Sequence, residues 1–210
     1  MLVDSEMLSA GVLMQMMQEI GLPITAEIFR ADFLGRSFSS ASERVERRMG
    51  KSFPPGFNLQ YRARLLARMK GNLHPMPGVR ALLQRIRIPF CLATSSSPPR
   101  LAVSMAETGL GPFFESRMFT ADMVDRGKPA PDLMLHAARE MQSRPQASLV
   151  IEDSEMGVRA ALAAGMQVWH FAGGSHVKAG YRLPADVVPH RVIDSMAALH
   201  DAFMEIGIAA

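Results

Sequence analysis

The pattern of apolar and polar positions divides the chain at His74. Before His74, apolar residues recur at helical spacing, which predicts a helix over residues 5–20 and three further helices within 22–73, each ended by a glycine. After His74, short apolar runs alternate with helical stretches. Strands are predicted at 88–94, 117–120, 148–152 and 167–172, and a weaker strand and a final helix lie between 187 and 206.

Alternating strands and helices predict an α/β protein with a doubly wound parallel sheet, a Rossmann-like core that helices cover on both faces. The helices before His74 supply no strand and predict a separate helical unit. We therefore expect an α/β core formed by residues 1–6 and 74–210 and a small all-helical cap formed by residues 7–73. Ligands of such sheets bind beyond the carboxyl ends of the strands, so the chemistry is expected there.

Composition narrows the class of protein without naming a function. The 210 residues are 48% hydrophobic and 20% charged, as in an ordinary globular protein. No apolar run is long enough to span a membrane and no secretory signal is recognisable, so we expect a cytoplasmic protein. The single cysteine, Cys91, excludes an internal disulfide and a cysteine-based zinc site. We interpret the 17 methionines as core packing.

Charge is unevenly distributed along the chain. The net charge is +3, but the stretch from Ile24 to Asn72 holds ten basic and four acidic residues, so that it carries +6 and the remainder −3. Such a stretch can attract a phosphorylated small molecule or a nucleic acid, or it can be a solvated helix surface. No nucleic-acid-binding module is recognisable. We expect a small phosphorylated substrate, no nucleic-acid or membrane partner, and a monomer or weak homodimer.

Two adjacent carboxylates follow one predicted strand. In the run SLVIEDSEMG, Glu152 and Asp153 stand where a buried strand meets a helix. Oxygen ligands at such a corner suit a hard cation such as Mg²⁺, which commonly shares them with a substrate phosphate. The alternative is that Asp153 or Ser154 only caps the following helix. The residues alone leave both interpretations open.

Hydroxyl groups and a lysine follow two other strands. In the run CLATSSSPP, Thr94 and Ser95 lie at the end of a predicted strand. Hydroxyls and free amides at the start of the following helix can bind phosphate or can simply cap that helix. Lys128 lies in the loop DRGKPAPD, where its neighbours restrict it and where it can hold a phosphate oxygen. The run GGSH, residues 173–176, follows a further strand and is a weaker candidate for the rim of a site.

A hydroxyl at the end of one strand, then the lysine of GKPAPD and then the acidic pair of EDSEMG, in this order on an alternating α/β chain, resemble the haloacid dehalogenase superfamily. The similarity covers the whole chain and consists of LVDSE at the start, a helical insert, CLATSSS, GKPAPD and IEDSEMG. The branch that it resembles has a small helical cap and contains phosphatases and phosphomutases, among them phosphoglycolate phosphatase, beta-phosphoglucomutase and 6-phosphogluconate phosphatase. Each motif alone is weakly specific, and the specificity comes from all three in register.

The resemblance implies a role for each matching residue. Thr94, with Ser95 beside it, would bind the transferring phosphoryl group, and Lys128 would stabilise its charge. Asp153 and Glu152 would bind Mg²⁺ directly or through water. The cap would supply substrate specificity, and Arg36 in GRS is the candidate for contact with an anionic leaving group, although it can equally be a solvated arginine.

The family's nucleophile and its general acid and base are two aspartates of a hydrophobic-D-x-D-G segment at the end of the first strand. Met1 falls just after that segment, and Asp4 matches a later position that caps the first helix. We therefore expect the first strand of the sheet to be missing from this chain, and the chain as written to be inactive or very weakly active. A start set about one strand too late is the simplest explanation.

The function expected from the sequence is that of an Mg²⁺-dependent phosphatase. It would act on a small phosphorylated metabolite, a sugar or sugar-acid phosphate, through an aspartyl-phosphate in the full-length protein. A sugar phosphomutase of the same family is one alternative. A catalytically dead protein that binds phosphate or a partner is another, if the chain truly starts at Met1.

Overall fold

The computed structural model describes residues 1–36, 38–178 and 180–210. Within them the helices, in chain order, are α1 (Glu6–Glu19), α2 (Ala26–Asp32), α3 (Phe38–Met49), α4 (Phe57–Met69), α5 (Val79–Arg85), α6 (Pro98–Thr108), α7 (Gly111–Phe114), α8 (Asp132–Glu140), α9 (Glu155–Ala163), α10 (Ser175–Lys178) and α11 (Met196–Glu205). The strands are β1 (Leu92–Thr94), β2 (Met118–Thr120), β3 (Leu149–Glu152), β4 (Gln167–Phe171) and β5 (Arg191–Ile193). Helices come first and strands alternate with helices afterwards, as the hydrophobic pattern predicts.

The strands pair in parallel, which confirms the predicted α/β class. β1 pairs with β2, and the register runs from Leu92 opposite Met118 to Thr94 opposite Thr120. β4 lies between β3 and β5 in a three-stranded sheet, with Glu152 at the end of β3 opposite His170. Helices such as α9 cover these strands and bury Val158 and Ala161 completely.

The two sheets are separate in the part of the chain that the structure describes. β1 has a strand partner only in β2, and β3 only in β4, so one side of each is unpaired. Side chains of both sheets still share one apolar cluster, where Leu92 and Ile151 pack with buried Leu2. β1 is shorter than the predicted strand at 88–94, because Pro89 has no N–H to donate and the partner β2 has only three residues.

Helices α1 to α4 enclose an apolar cluster of their own. Leu13 and Met17 of α1 and Val45 of α3 are fully buried in it. Aromatic rings fill one end, with the Phe38 and Tyr61 rings 4.9 Å apart. Residues 7–73 are thus helical, as predicted for the cap. The division of the chain into core and cap domains stays a prediction.

A buried carboxylate neutralises part of the basic stretch. Asp32, at the end of α2, is completely buried, and Arg44 of α3 donates to its Oδ1 at 2.6 Å. Arg48, one helical turn later, places its Nη1 3.0 Å from Asp32 Oδ2. The positive charge of α3 is therefore used in part to hold α2 and α3 together.

Polar contacts attach α6 to the helices that precede it. The Nη2 of Arg100 donates to Ser9 Oγ at 2.8 Å and to Ser5 Oγ at 3.0 Å. Further along α6, the Glu107 carboxylate accepts from the Gly71 N–H at 2.7 Å. The helix that follows β1 is thus fixed to α1 and to the end of α4. Among the described residues, no helix has the length and apolar character needed to cross a membrane.

Candidate active site

The residues expected at the strand ends meet around one buried lysine. Lys128 is 7% exposed and lies in the loop between β2 and α8. Its Nζ donates to the backbone oxygen of Ala93 in β1 at 3.1 Å and to the carboxylate of Glu152 at the end of β3. The lysine therefore joins the carboxyl ends of strands that belong to two separate sheets. It also brings the Thr94, Lys128 and Glu152 motifs to a single place.

The carboxylate of Glu152 is held by several donors besides Lys128. Its Oε2 accepts from Ser154 Oγ at 3.1 Å and from the backbone N–H groups of Asp153 and Ser154 at 3.2 and 3.4 Å. The side chain thus folds back over its own turn and fixes the position of the lysine. Its buried negative charge is compensated by that cation and by the hydrogen bonds.

The glycine of the EDSEMG motif is explained by this carboxylate. A Cβ at Gly157 would lie 2.0 Å from Cδ and 2.2–2.3 Å from the carboxylate oxygens of Glu152. Those distances are far inside van der Waals contact, so any side chain at 157 would displace Glu152. Sequence reasoning used this glycine only as part of a motif. The sequence does contain a signal for this role, because Gly157 lies five residues after Glu152, in the first turn of a predicted helix.

Asp153 is the second carboxylate of the pair, with a side chain that is 15% exposed. Its Oδ2 lies 2.7 Å from the α-amino group of Met1. Burial disfavours the charged carboxylate, but the Met1 ammonium, then His176 and Lys128, outweigh burial and hold the pKa of Asp153 below its ordinary value. The same contact raises the pKa of the Met1 amine against the opposing effect of burial. Asp153 is thus an ionised carboxylate that is paired with the ammonium group of Met1.

Thr94 and Ser95 lie at the end of β1, half-buried, as the sequence predicts. Thr94 Oγ1 accepts from the Ser96 N–H at 3.1 Å, so the threonine stabilises the turn that leads into α6. Ser95 Oγ donates to the Gly35 carbonyl at 3.4 Å. Thr94 therefore follows Ala93, whose carbonyl binds Lys128, and Ser95 contacts the loop after α2.

The loop after α2 approaches the turn between β3 and α9, residues 153–155, which we call the acidic turn. Gly35 has φ +72°, and a Cβ there would lie 2.7 Å from the Cβ of Ser154. Arg36 follows it, half-buried, and burial together with the charge of Arg44 lowers the pKa of its guanidinium. In the described residues, no hydrogen bond or ion pair is made by the Arg36 side chain. Ser37, the last residue of the predicted GRS contact, lies outside the described residues.

Sequence reasoning gave little weight to the loop after β4, which lies against the acidic turn. His176 is buried, with its Nε2 3.1 Å from the backbone oxygen of Asp153. The Tyr181 hydroxyl accepts from the backbone N–H of Glu155 at 2.6 Å. Ser175 Oγ donates to Asp4 Oδ1 at 2.7 Å, just before α1. The run GGSH was the only signal for this loop, and it carried no indication of these partners.

The donor chemistry of the site fits a magnesium ion bound with a substrate. Asp153 and Glu152 offer two adjacent carboxylates, and within residues 1–36, 38–178 and 180–210 no three His, Cys, Asp or Glu side chains form a metal-binding group. Mg²⁺ commonly binds through one or two carboxylates and completes its shell with waters and substrate phosphate oxygens. Such an ion would replace the ammonium group that now neutralises Asp153.

Comparison with known proteins gives consistent matches. A family model described as haloacid dehalogenase-like hydrolase matches residues 12–165. The 6-phosphogluconate phosphatase of Escherichia coli (strain K12) is 28% identical over 178 residues, which are 84% of this chain and 80% of that protein.

Two solved structures agree with this assignment. A conserved haloacid dehalogenase-like protein from Agrobacterium tumefaciens str. C58 superposes with a TM-score of 0.80 at 30% identity, covering 98% of this chain and 94% of that one. A HAD family hydrolase from Deinococcus radiodurans R1 with bound phosphate and sodium superposes with a TM-score of 0.75 at 28% identity, covering 100% and 93%.

Proposed function

The chain belongs to the haloacid dehalogenase-like hydrolase family, and from this premise we propose that the protein is a magnesium-dependent phosphatase of small phosphorylated metabolites. The observation that carries the proposal is the meeting of Thr94, Lys128 and the Glu152–Asp153 pair at the carboxyl ends of β1 and β3. These residues supply hydroxyl donors, a cation and carboxylates in one place, which are the groups that phosphoryl transfer requires.

Each side chain has a distinct task in this proposal. Thr94 and Ser95 bind the phosphoryl oxygens with their hydroxyls and with the amides of their turn. Lys128 neutralises the charge that develops on the phosphoryl oxygens, and Glu152 fixes the lysine through their buried ion pair. Asp153 and Glu152 would hold the Mg²⁺ ion, directly or through water. A bound Mg²⁺ supplies charge stabilisation and orients the phosphate.

We place the nucleophile of this mechanism, an aspartate that becomes phosphorylated, on a strand between β1 and β3 in the full-length protein. The support is the gap between the two sheets, since both facing strands are unpaired there in the described residues. Lys128 spans the carboxyl end of this gap from Ala93 to Glu152. A parallel strand in the gap would end beside Thr94, Lys128 and Asp153. An aspartate at the end of that strand would therefore place its carboxylate next to these residues.

We further propose a sugar or sugar-acid phosphate as the substrate. The name of the Escherichia coli relative, 6-phosphogluconate phosphatase, supports this class. Arg36 gives a second support, because its guanidinium is half-buried and makes no direct ion pair with the described residues, although the charges of Glu155 and Asp32 act on it from a distance. A carboxylate or second phosphate on the substrate would neutralise it. Arg36 is thus the proposed contact for the part of the substrate that leaves.

The proposal is tested by measuring phosphate release by the full-length protein from a panel of phosphorylated metabolites. The panel includes 6-phosphogluconate, hexose phosphates, a hexitol phosphate and a nucleoside monophosphate, each with Mg²⁺ and with EDTA. We expect turnover that needs Mg²⁺ and favours the sugar and sugar-acid phosphates. Absence of phosphate release from every compound would overturn the phosphatase assignment, and transfer to a second sugar hydroxyl without release would indicate a mutase.

Arg36 is tested within the same panel. We expect Arg36→Gln to raise KM for 6-phosphogluconate by about tenfold and to change KM little for a hexose monophosphate, because only 6-phosphogluconate presents a second anion besides its phosphate. Arg62→Gln is the matched control, since Arg62 is an exposed arginine whose contact is with Asn58 on its own helix. Equal effects of Arg36→Gln on both substrates would contradict the assigned contact.

A further inference from the structure

The imidazole of His176 is hydrogen-bonded to the backbone of the acidic turn. The side chain is 4% exposed, and its Nε2 lies 3.1 Å from the carbonyl oxygen of Asp153. A carbonyl oxygen only accepts, so Nε2 carries the proton of this hydrogen bond. Nδ1 is buried, with no hydrogen-bond partner in the described part of the chain. The hydrogen bond to Asp153 is therefore the polar contact that orients the ring.

Packing around the ring is close enough to hold it in that orientation. A Cβ at Gly174 would lie 2.7 Å from Cε1 and 2.9 Å from Nδ1 of His176, so glycine is the residue that leaves room for the ring. The Tyr181 ring packs on the imidazole at a centroid distance of 5.6 Å. Leaving a buried ring nitrogen unpaired costs free energy. The ring stays buried despite this cost, and its one hydrogen bond is to the turn. The side chain is therefore suited to fixing the position of the turn.

The Tyr181 hydroxyl holds the other end of the same turn. Its oxygen accepts from the N–H of Glu155, the first residue of α9, at 2.6 Å. That N–H has no partner within the helix, because the first N–H groups of a helix lack one. Ser154 caps another free N–H of this first helical turn, with its Oγ accepting from the Gly157 N–H at 3.2 Å. The two peptide groups that flank Ser154 are thus each hydrogen-bonded by a side chain from outside the turn.

The loop that carries these two side chains is itself anchored away from the turn. Ser175 Oγ donates to Oδ1 of Asp4, two residues before α1, at 2.7 Å. Val177 and Tyr181 are buried in the apolar cluster of helices α1 to α4, with Leu13 and Met17 among its members. The loop is therefore attached to the helical unit and not only to the acidic turn, and it can resist movement of the turn.

We propose that His176 and Tyr181 are positioning residues that fix the backbone of the Asp153–Glu155 turn and so set the affinity of the site for Mg²⁺. This inference rests on the proposed function for its assignment of Asp153 to the metal. The direction of the Asp153 carboxylate follows from the orientation of its own peptide unit. When the Asp153 carbonyl or the Glu155 N–H loses its partner, that carboxylate samples orientations that no longer suit the ion.

The test is the binding of Mg²⁺ alone, measured by titration calorimetry without substrate. Variants are His176→Asn, His176→Gln and Tyr181→Phe. Asparagine is too short for its N–H to reach Asp153, whereas the glutamine amide lies near the position of Nε2. We expect Mg²⁺ affinity to fall about tenfold in His176→Asn and in Tyr181→Phe, and to be recovered in His176→Gln. Equal affinity in all variants overturns the proposal.

Tyr61→Phe is the matched control for Tyr181→Phe. Tyr61 is also a buried tyrosine of the helical cluster, 7% exposed against 8% for Tyr181, and its hydroxyl bonds to Ser9 of α1 and not to the acidic turn. We expect Mg²⁺ affinity to be unchanged in Tyr61→Phe. A loss in Tyr61→Phe as large as in Tyr181→Phe would show that loosening of the cluster, and not the bond to Glu155, lowers the affinity. That result overturns the assignment of Tyr181.

Hydrogen exchange of the metal-free protein separates this inference from the proposed function. We expect amide exchange over residues 153–157 to become about tenfold faster in His176→Asn and Tyr181→Phe, while exchange in β4 stays as in the wild type. A wild type that binds no Mg²⁺, with faster exchange in the variants, overturns the metal assignment and upholds the positioning of the turn. Unchanged exchange overturns the positioning even when the wild type binds Mg²⁺.

Discussion

At the scale of single residues, the site depends on a buried ion pair and on the space around it. The Lys128 and Glu152 side chains are only 5% and 11% exposed, so each charge relies on the other for compensation. Removing one partner of such a pair costs far more than the pair itself contributes, because a buried charge is left alone. The Glu152 carboxylate in turn occupies space that is free only because residue 157 is a glycine.

We expect Lys128→Met to destabilise the protein and to abolish its activity. The free energy of unfolding should fall by about 3–5 kcal/mol, since Glu152 is left buried and charged. Phosphate release should fall at least about a hundredfold, because the phosphoryl group loses its cation. Urea unfolding and a phosphate-release assay measure the two effects.

The double variant Lys128→Met/Glu152→Gln separates stability from chemistry. It should recover much of the free energy of unfolding, because no lone charge is buried, while phosphate release stays lost. Activity in the double variant would contradict the role given to Lys128.

Gly157→Ala is expected to destabilise the protein and to weaken Mg²⁺ binding. The added Cβ would lie within 2.3 Å of the Glu152 carboxylate, which must move and take Lys128 with it. Gly11→Ala is the matched control, because Gly11 lies in α1 with no atom within 4 Å of its added Cβ. There alanine should raise the free energy of unfolding by about 0.5–1 kcal/mol. Thermal unfolding of the two variants should shift in opposite directions.

At the scale of elements, pairs of helices are joined by particular polar contacts. α2 and α3 share the buried Asp32, with Arg44 and Arg48 on either side. The sequence indicated a basic stretch but not where its charge goes, because the ion pairs link positions 12 and 16 residues apart, on two different helices. Similarly, the close approach of Gly35, in the loop after α2, to Ser154 brings together segments over a hundred positions apart.

We expect Asp32→Asn to lower the free energy of unfolding by about 1–3 kcal/mol, because Arg44 loses a charged and fully buried acceptor and Arg48 loses its ion-pair partner. Glu27→Gln on the same helix is the control, since Glu27 pairs with Arg30 in solvent. Its unfolding midpoint should not change. Denaturant titration monitored by circular dichroism compares the two, and equal midpoints would contradict a structural role for Asp32.

At the scale of the whole molecule, the gap between the sheets is the main feature. Backbone groups on one side of β1 and of β3 lack strand partners in the described residues, although the two strands share an apolar cluster and a lysine. Buried backbone groups without hydrogen bonds are costly, so a strand in this gap would stabilise both sheets together.

We expect that a chain extended before Met1 by an apolar strand that ends in D-x-D-G unfolds at a higher denaturant concentration than the 210-residue chain. The reason is the gain of backbone hydrogen bonds and buried apolar surface on both sides of the gap. The same chain should release phosphate with Mg²⁺, and replacement of the first aspartate by asparagine should abolish release without lowering the unfolding midpoint. An extension that changes neither property would contradict the placement of the strand.

Local patterns by themselves determined the order of the elements and the motifs at the strand ends. Thr94, Lys128 and the Glu152–Asp153 pair could be found because strand ends, helix starts and glycine-bounded loops are encoded within a few neighbouring residues. The parallel pairing of the strands followed from the alternation of strands and helices. These features do not depend on which distant residues come into contact.

Only the tertiary structure decided which partners these residues have. Lys128 bonds to Ala93 and Glu152, Gly35 packs on Ser154, and His176 and Tyr181 hold a turn that precedes them by more than 20 residues. Such contacts depend on the path of the whole chain, and no local spacing encodes them. The sequence therefore determined the chemical groups of the site, and the fold determined how each is oriented, because side-chain direction is fixed by packing between distant segments.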